Sequence, residues 1–341
     1  MKTAHDAIAL TAPRLDELLR LFATKRVLVV GDLILDEFIW GKVSRISPEA
    51  PVPVVEVSSE SYFPGGAANV ARNLREFTAH VSIMGVTGEC RHATHLKELL
   101  VSEGVDVAAV QTHASYQTIV KTRIIARQQH VVRIDREKRL VLHPEHASAA
   151  LEHLKSHLAA VDAIIIEDYG KGMVSQSFAT GVCDLARAAG KILAIDPNPH
   201  NPVRWRGVTV IKPNRVEAFA AAHRPFSEAA DDPRADGPLL EVGKILLEEW
   251  DTENLLITLG EQGVLLMRRD EPPYHAPTRA REVFDVSGAG DTAIALCALA
   301  LSAGATPPEA AELANHASGI VVGKLGTATV TPDELKRSFV G

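Results

Sequence analysis

Residues 26–74 read RVLVVGDLILDEFIWGKVSRISPEAPVPVVEVSSESYFPGGAANVARNL, and their order decides the fold. The first six are a short unbroken apolar run that stops at Gly31 and Asp32. A strand buried on both faces of a parallel sheet reads that way. Residues 38–60 then change character, with three prolines at 48, 51 and 53 flanking β-branched pairs and none of a helix's period. They predict strands of a small second sheet that leaves the core, and proline suits its edges. PGGAAN (64–69) returns the chain and opens a helix predicted over 67–77.

Working outward, apolar runs like the first recur at 81–85, 163–167 (AIIIE), 191–196 (KILAID), 208–212 and 255–259. Helical spacing separates them, as at 175–189 and 239–249. Alternation of this kind predicts an α/β fold with a doubly wound, mostly parallel sheet. A second departure, QTIVKTRIIARQQHVVRIDR (117–136), predicts a β-hairpin turning near 128–130. Together, 38–60 and 117–136 form a small β-sheet lid over one end of the core, which suits a site that must exclude water. Leu15, Leu18, Leu19 and Phe22 predict a helix over 13–23, so residues 1–25 read as a leading helix and 26–341 as one domain.

The 341 residues are 46% hydrophobic and 23% charged, the balance of a globular chain. Lys and Arg number 36 against 43 Asp and Glu, a net charge of −7. That argues against a nucleic-acid binder, which needs positive charge to displace counterions. Cys90, Cys183 and Cys297 lie far apart, without the spacing of a disulfide framework or a zinc site, and a reducing cytoplasm is expected. The first 20 residues carry Asp6, Asp16 and Glu17 and do not read as a signal peptide. AIALCALALSA (293–303) is too short to cross a bilayer and reads as a buried core helix; no membrane partner is expected. His92/His95 and His153/His157 have helical spacing but no HExxH context, and read as surface histidines.

In open α/β sheets, ligands bind beyond the carboxyl ends of the strands. Polar residues stand at those positions repeatedly: Asp32, Asp168, Asp196 with Asn198, Lys212 with Asn214, and Thr258 with Gly260. Each alone also fits a turn or cap; the recurrence points to a polyhydroxylated or phosphorylated ligand. The sharpest local signal is DVSGAGD (285–291), running into the apolar helix. Its small residues let the N–H groups of Gly288, Ala289 and Gly290 converge at a helix N-terminus, an anion hole. Asp291 fits two roles there, a helix N-cap and a general base for a hydroxyl attacking phosphorus. No GxxxxGK[ST] loop occurs, and PGGAAN is not a GxGxxG fingerprint, so neither a P-loop kinase nor a nicotinamide dehydrogenase is indicated.

PGGAANVARNL and DVSGAGDT, with KPNRVEA and TLGEQG between them, resemble the signatures of the ribokinase-like (PfkB) carbohydrate kinases, over roughly residues 26–335. Within that family, GDLILDEFIWGKVSRISPEAPVPVVEV, DYGKGM and GKLGTATVTPDEL resemble the heptose-7-phosphate kinase branch. The resemblance implies ATP-dependent phosphorylation of D-glycero-β-D-manno-heptose 7-phosphate at C1, a step toward ADP-heptose for lipopolysaccharide core. No HxGH-type motif occurs, so a stand-alone kinase is expected. Thr78 and Leu296 depart from the small residues usual at their places, which bears on packing.

By the same resemblance Asp291 is the base, with Gly288, Ala289 and Gly290 holding the transferring phosphoryl group. Glu217 of Asn214-x-x-Glu217 organises Mg²⁺ through water, Thr258 and Gly260 line the nucleotide, and Asn315 lies near adenine. Asp32, Gly65, Gly66 and Asn69 hold sugar hydroxyls, with Asp36, Asp168 and Asn198 as further candidates. A homodimer clasped through the lids is implied. The residues add an inference of their own. Lys121, Arg123, Arg127 and Arg133 share parity, so a continuous strand presents them on one face. Arg123, Arg133 and Lys171 are thus candidates for the sugar's phosphate, against the alternative of a solvated lid face. The competing functions are another PfkB sugar kinase and a catalytically silent binder on the same fold.

Overall fold

The computed structural model describes residues 10–127, 129–139, 142–279, 286–324 and 326–340. Its thirteen strands, in chain order, are β1 Arg26–Gly31, β2 Leu33–Ile46, β3 Pro53–Gly66, β4 His80–Thr87, β5 Asp106–Thr112, β6 Ile119–Ala126 and β7 Gln129–Arg136 in the first half. The second half adds β8 Ala163–Glu167, β9 Ile192–Asp196, β10 Val208–Ile211, β11 Thr252–Thr258, β12 Val264–Met267 and β13 Tyr274–Ala276. Nine form one sheet in the order β13-β12-β11-β10-β9-β8-β1-β4-β5. All its pairs are parallel except β11–β12 and β12–β13.

Both faces of this sheet are covered, which is why its central strands are apolar at every position. In β1, Val27 and Val29 join one core while Leu28 and Val30 join the other, and Ile165 of β8 opposes Ile164 and Ile166 in the same way. The first core takes the helices Ala12–Phe22, Ala67–Arg75, Arg91–Ser102, Ala289–Ser302 and Pro307–Val321. The second takes Pro144–His157, Gln176–Ala188, Arg215–Ala221 and Gly237–Glu249. The doubly wound sheet expected from the sequence is therefore present, and the leading helix packs Leu15, Leu18 and Phe22 into the first core. Residues 291–300 of Ala289–Ser302 are all buried, as its composition predicts. Thr78 is buried with its hydroxyl on the Lys25 carbonyl at 2.7 Å, and Leu296 is fully buried, so both departures from the family pattern are packing features. Among the described residues, no helix is long and apolar enough to cross a membrane.

The lid is the four-stranded sheet β3-β2-β6-β7. It is larger than 38–60 and 117–136 predict at its first member, because β2 begins at Leu33 and β3 runs to Gly66. The base of the lid is buried core, so its residues carry no polar alternation to mark them as a separate sheet. The hairpin turns earlier than expected: Arg127 has φ +49° and Gln129 is already in β7. Arg127 therefore lies in the turn and not on the strand face with Lys121 and Arg123. Strands β5, β12 and β13 have no counterpart in the sequence reading; each is short or peripheral, and β12–β13 closes one edge by antiparallel pairing.

The chain runs outward from β1 to β4 and β5, and later from β8 toward β13, so the order reverses between β1 and β8. That junction is the switch point where such sheets open a crevice. It is tight: Gly31 pairs with Glu167, and a Cβ on Gly31 would overlap the Glu167 carbonyl oxygen. Gly31→Ala should lower the urea-unfolding midpoint by a cost of about 1–3 kcal/mol, the range for overpacking. Gly237→Ala, with nothing within 4 Å of its Cβ, is the control that should not. Equal midpoints for the two variants would contradict the tight junction.

Candidate active site

Strand ends at the junction deliver a dense set of polar side chains. Glu167 closes β8, Asp196 closes β9, Lys212 follows β10, and Thr258 closes β11. From the other side come the starts of two helices, Ala67–Arg75 after Gly65 and Gly66, and Ala289–Ser302 after Gly288. Gly66 (φ +59°) and Gly288 (φ +81°) hold backbone conformations that favour glycine. A Cβ on Gly288 would sit 2.8 Å from Asn69 Nδ2, so the two helix starts are in close contact.

Asp291 is the centre of this arrangement, and its setting excludes one of its two candidate roles. The helix N-cap is Gly288, without a side-chain cap bond, so Asp291 stands in the first turn and does not cap. Its carboxylate instead accepts from Asn69 Nδ2 at 2.7 Å and from the Tyr169 hydroxyl at 3.1 Å. Asn69 is itself held: Asn73 donates to the Asn69 carbonyl at 2.9 Å, and Thr292 donates to Asn73 at 3.0 Å. Burial, with Asp196 nearby, pushes the Asp291 carboxyl up to about 6; the Asn69 bond, Lys212 and Tyr169 oppose the shift. A carboxylate poised just below neutrality is suited to accept a proton. Of the three amides expected at the anion hole, that of Ala289 closes a turn onto the Val286 carbonyl at 3.3 Å. Asp285 lies outside the described residues.

Several residues expected to touch ligand are used by the fold. Asp32 is buried and accepts three backbone N–H groups, from Tyr169 and Lys171 at 3.0 Å and from Met173 at 3.1 Å. Its carboxylate shapes the DYGKGM loop. Asp168 accepts from Gly170 N and from Asn201 Nδ2, both at 2.8 Å, and burial raises its carboxyl to about 7. Asn198 accepts from His200 N at 2.9 Å, and its amide lies against Gly170. Asn214 and Glu217 form a reciprocal capping box on Arg215–Ala221, which takes one carboxylate oxygen of Glu217. Asn315 donates to the Pro277 carbonyl at 2.7 Å. Thr258 bridges to Asn214, and a Cβ on Gly260 would meet nothing within 4 Å.

On the lid, register rather than parity sets the neighbours. Phe38, Arg123 and Arg133 are cross-strand partners in one row, and Asp36, Lys121 and Asp135 in the next row on the same face. Three of the four cations are each paired with a carboxylate: Arg123 with Asp36, Arg133 with Asp135 at 2.8 Å, and Lys171 with Glu137 at 2.7 Å. Arg133 is exposed on the outermost strand, away from the expected pocket interior. Lys121 is the exception, with no ion-pair partner among the described residues. Its ammonium lies 5.4 Å from the centre of the Tyr169 ring, whose hydroxyl reaches Asp291. Asp36 lies against Gly65, where a Cβ would overlap its carboxylate. Sequence reasoning missed Lys121 as an anchor and Tyr169 altogether; the position of Tyr169 two residues beyond a strand end was the available signal.

The pfkB family carbohydrate kinase description matches residues 24–334. The bifunctional protein HldE of Desulfatibacillum aliphaticivorans is 42% identical over 316 residues, 93% of this chain and 63% of that protein. HldE of Geobacter sulfurreducens is 41% identical over 312 residues, 92% of this chain and 62% of that protein. The chain thus spans under two thirds of the length of these relatives. Among solved structures, phosphofructokinase-2 from Escherichia coli in complex with potassium superposes with a TM-score of 0.75 at 17% identity, covering 93% of this chain and 98% of that one. Arabidopsis thaliana ribokinase complexed with ribose and ATP gives 0.68 at 16%, covering 92% and 98%. These superpositions show the shared fold, and the match along nearly the whole sequence settles the family: the chain belongs to the pfkB carbohydrate kinases.

Proposed function

We propose that the chain transfers the γ-phosphoryl group of ATP to the C1 hydroxyl of D-glycero-β-D-manno-heptose 7-phosphate, as a cytoplasmic enzyme on the way to ADP-heptose. The setting of Asp291 carries the reading: a buried carboxylate, freed from capping and aimed by Asn69 and Tyr169, beside a glycine-led helix start. The resemblance of the lid and loop strings to heptose-7-phosphate kinases supplies the substrate. Asp291 takes the hydroxyl proton as the sugar oxygen bonds to phosphorus and the bond to the β-phosphate oxygen breaks, releasing ADP. The start of Ala289–Ser302, with Gly288 and Gly290, presents its positive end to the phosphoryl oxygens. Gly65, Gly66 and Asn69 admit the sugar to the backbone, with Asn198 at the loop beyond. Thr258, Gly260 and Asn214 face the nucleotide side.

Glu217 suits Mg²⁺ held largely through water: the capping box takes only its Oε2, and the acidic Asp196 is near enough to raise its carboxyl. The ion would neutralise charge on the transferring phosphates. For the sugar's own phosphate, the pairing on the lid favours Lys121. Arg123, Arg133 and Lys171 are each held in contact by a carboxylate, whereas the Lys121 ammonium, with Asp36 and Asp135 beside it in its row, makes no direct ion pair among the described residues and lies within one ring of Asp291. Burial lowers the Lys121 ammonium, and an anion beside it would restore that cost. Arg123 and Lys171 then border the phosphate. The lid also leaves Val132 and Ile134 exposed on the face of β7 opposite Arg133, which supports pairing with the lid of a second copy.

ADP release with ATP and Mg²⁺ should be strong with heptose 7-phosphate and weak with unphosphorylated heptose, ribose, fructose and fructose 6-phosphate. Preference for another sugar would overturn the substrate. Asp291→Asn should cut kcat by about 10²–10⁴-fold. It should also raise the melting temperature at pH 7–8. A carboxyl raised to about 6 costs stability wherever it is ionised, and the amide removes that cost. In the wild type kcat/KM should fall as pH drops through about 6, where Asp291 takes up its proton. Lys121→Met should raise KM for heptose 7-phosphate about tenfold or more while leaving that for ATP in place, with Arg133→Met far milder. The reverse ranking would return the assignment to Arg133. Val132→Asp with Ile134→Asp should sediment as a monomer if the lids clasp.

A further inference from the structure

Behind Asp291 lie charged side chains for which the proposed transfer gives no role. Glu167 and Asp196, at the ends of adjacent strands, and Lys212 beyond the next strand converge beneath the first turn of Ala289–Ser302. One oxygen from each of Glu167, Asp196 and Asp291 lies within 4.8 Å of the others. Lys212 Nζ is 2.8 Å from Asp196 Oδ2, and a Cβ on Gly290 would lie 3.2 Å from that ammonium. Glu167 is 2% exposed, Lys212 3% and Asp291 5%. Three carboxylates therefore share one cation in a space nearly closed to water.

Two of the three carboxylates have donors. Asp196 has Lys212, and Asp291 has Asn69 and Tyr169. Glu167 accepts from none of these, and its Oε2 has no hydrogen-bond partner among the described residues. Lys212 draws Glu167 toward ionisation, but Asp196 holds that ammonium in direct contact, Asp196, Asp291 and Asp168 oppose it, and Cys297 on the overlying helix is a buried thiol pushed up to about 12. A buried carboxylate without a hydrogen-bond donor, facing other carboxylates, is costly, and it takes up a proton instead. The proton supplies the missing donor, with Asp196 within hydrogen-bonding reach.

We propose that Glu167 is held as the neutral acid and donates a hydrogen bond to Asp196, so that Glu167, Asp196 and Lys212 form an electrically neutral block behind Asp291. Glu167 is then a positioning residue. It fixes the Asp196–Lys212 pair and keeps a second negative charge away from the base, which would otherwise stay protonated at neutral pH. Burial and the neighbouring carboxylates, which raise Glu167 well above the ordinary carboxyl range, agree with this. The effect on catalysis rests on the reading of Asp291 as base; the protonation of Glu167 does not.

Two measurements on the full chain test it. Infrared spectra at pH 7 should contain the carbonyl stretch of a protonated carboxylic acid that is missing in Glu167→Gln. Spectra without that difference would overturn the proposal, as would loss of the band on adding Mg²⁺ alone, which would make the cluster a metal site. In the pH profile of kcat/KM, Glu167→Gln should keep the acid limb at the wild-type position, neutral group for neutral group. Glu167→Ala, which removes the donor, should lower kcat a further roughly tenfold to a hundredfold. If Glu167 were ionised, its replacement by Gln would move the limb down by about two pH units, from a charge roughly 5 Å away. Should no sugar be turned over, the kinase reading fails while the infrared band still decides the protonation of Glu167.

Discussion

The contact on which the site depends is the parallel pairing of β1 with β8 at the point where the strand order reverses. Gly31 lies so close to the Glu167 carbonyl that no side chain fits between them. That closeness sets the two strand ends level, and everything polar at the crevice is measured from them. From β1 the chain passes through Asp32, whose carboxylate gathers the N–H groups of Tyr169, Lys171 and Met173. The loop so gathered carries Tyr169 to Asp291 and Lys171 to Glu137 on the lid side. A small shift between the two strands would misplace the base's hydrogen-bond donor and the loop that borders the substrate together.

Much of this was legible in the sequence. Short apolar runs bounded by polar or glycine residues read as strands covered on both faces, and the two Pro-rich or alternating segments could not belong to the same sheet. DVSGAGD announced a glycine-led helix start. The parts that stayed hidden have physical causes. That Asp32 and Asp168 clamp loops could not be read, because a carboxylate that clamps a loop and one that binds a sugar have the same sequence signature, a polar residue after a strand. The lid cations could be placed on a face by parity, but not paired. Pairing depends on the β2–β6–β7 register, which set Arg123 by Asp36 and left Lys121 over Tyr169. That Asp291 does not cap its helix could not be read from the sequence, since its carboxylate is engaged by Asn69, 222 residues away along the chain.

Charge runs through the whole site in matched pairs with few remainders. Arg123, Arg133 and Lys171 each face a carboxylate, and Lys212 faces Asp196. Lys121 makes no such direct pair among the described residues; it lies against the Tyr169 ring, whose hydroxyl reaches Asp291. A buried cation without a contacting carboxylate is costly, and under the proposed function an anionic substrate would offset that cost.

The helix Ala289–Ser302 has a consequence for motion. Its residues 291–300 are buried on every side, and it packs against Pro307–Val321, Ala67–Arg75 and the sheet. Such an element cannot tilt or slide without opening the core, so Asp291 and the turn at Gly288 are as rigid as the fold itself. The lid, with β7 exposed throughout and much of β3 at its other edge exposed, has no such restraint. Under the proposed function, adaptation to substrate then falls on the lid alone. Substitutions far along the apolar helix would register as changes in global unfolding, whereas substitutions in the lid would register in how readily the crevice admits and releases its ligands.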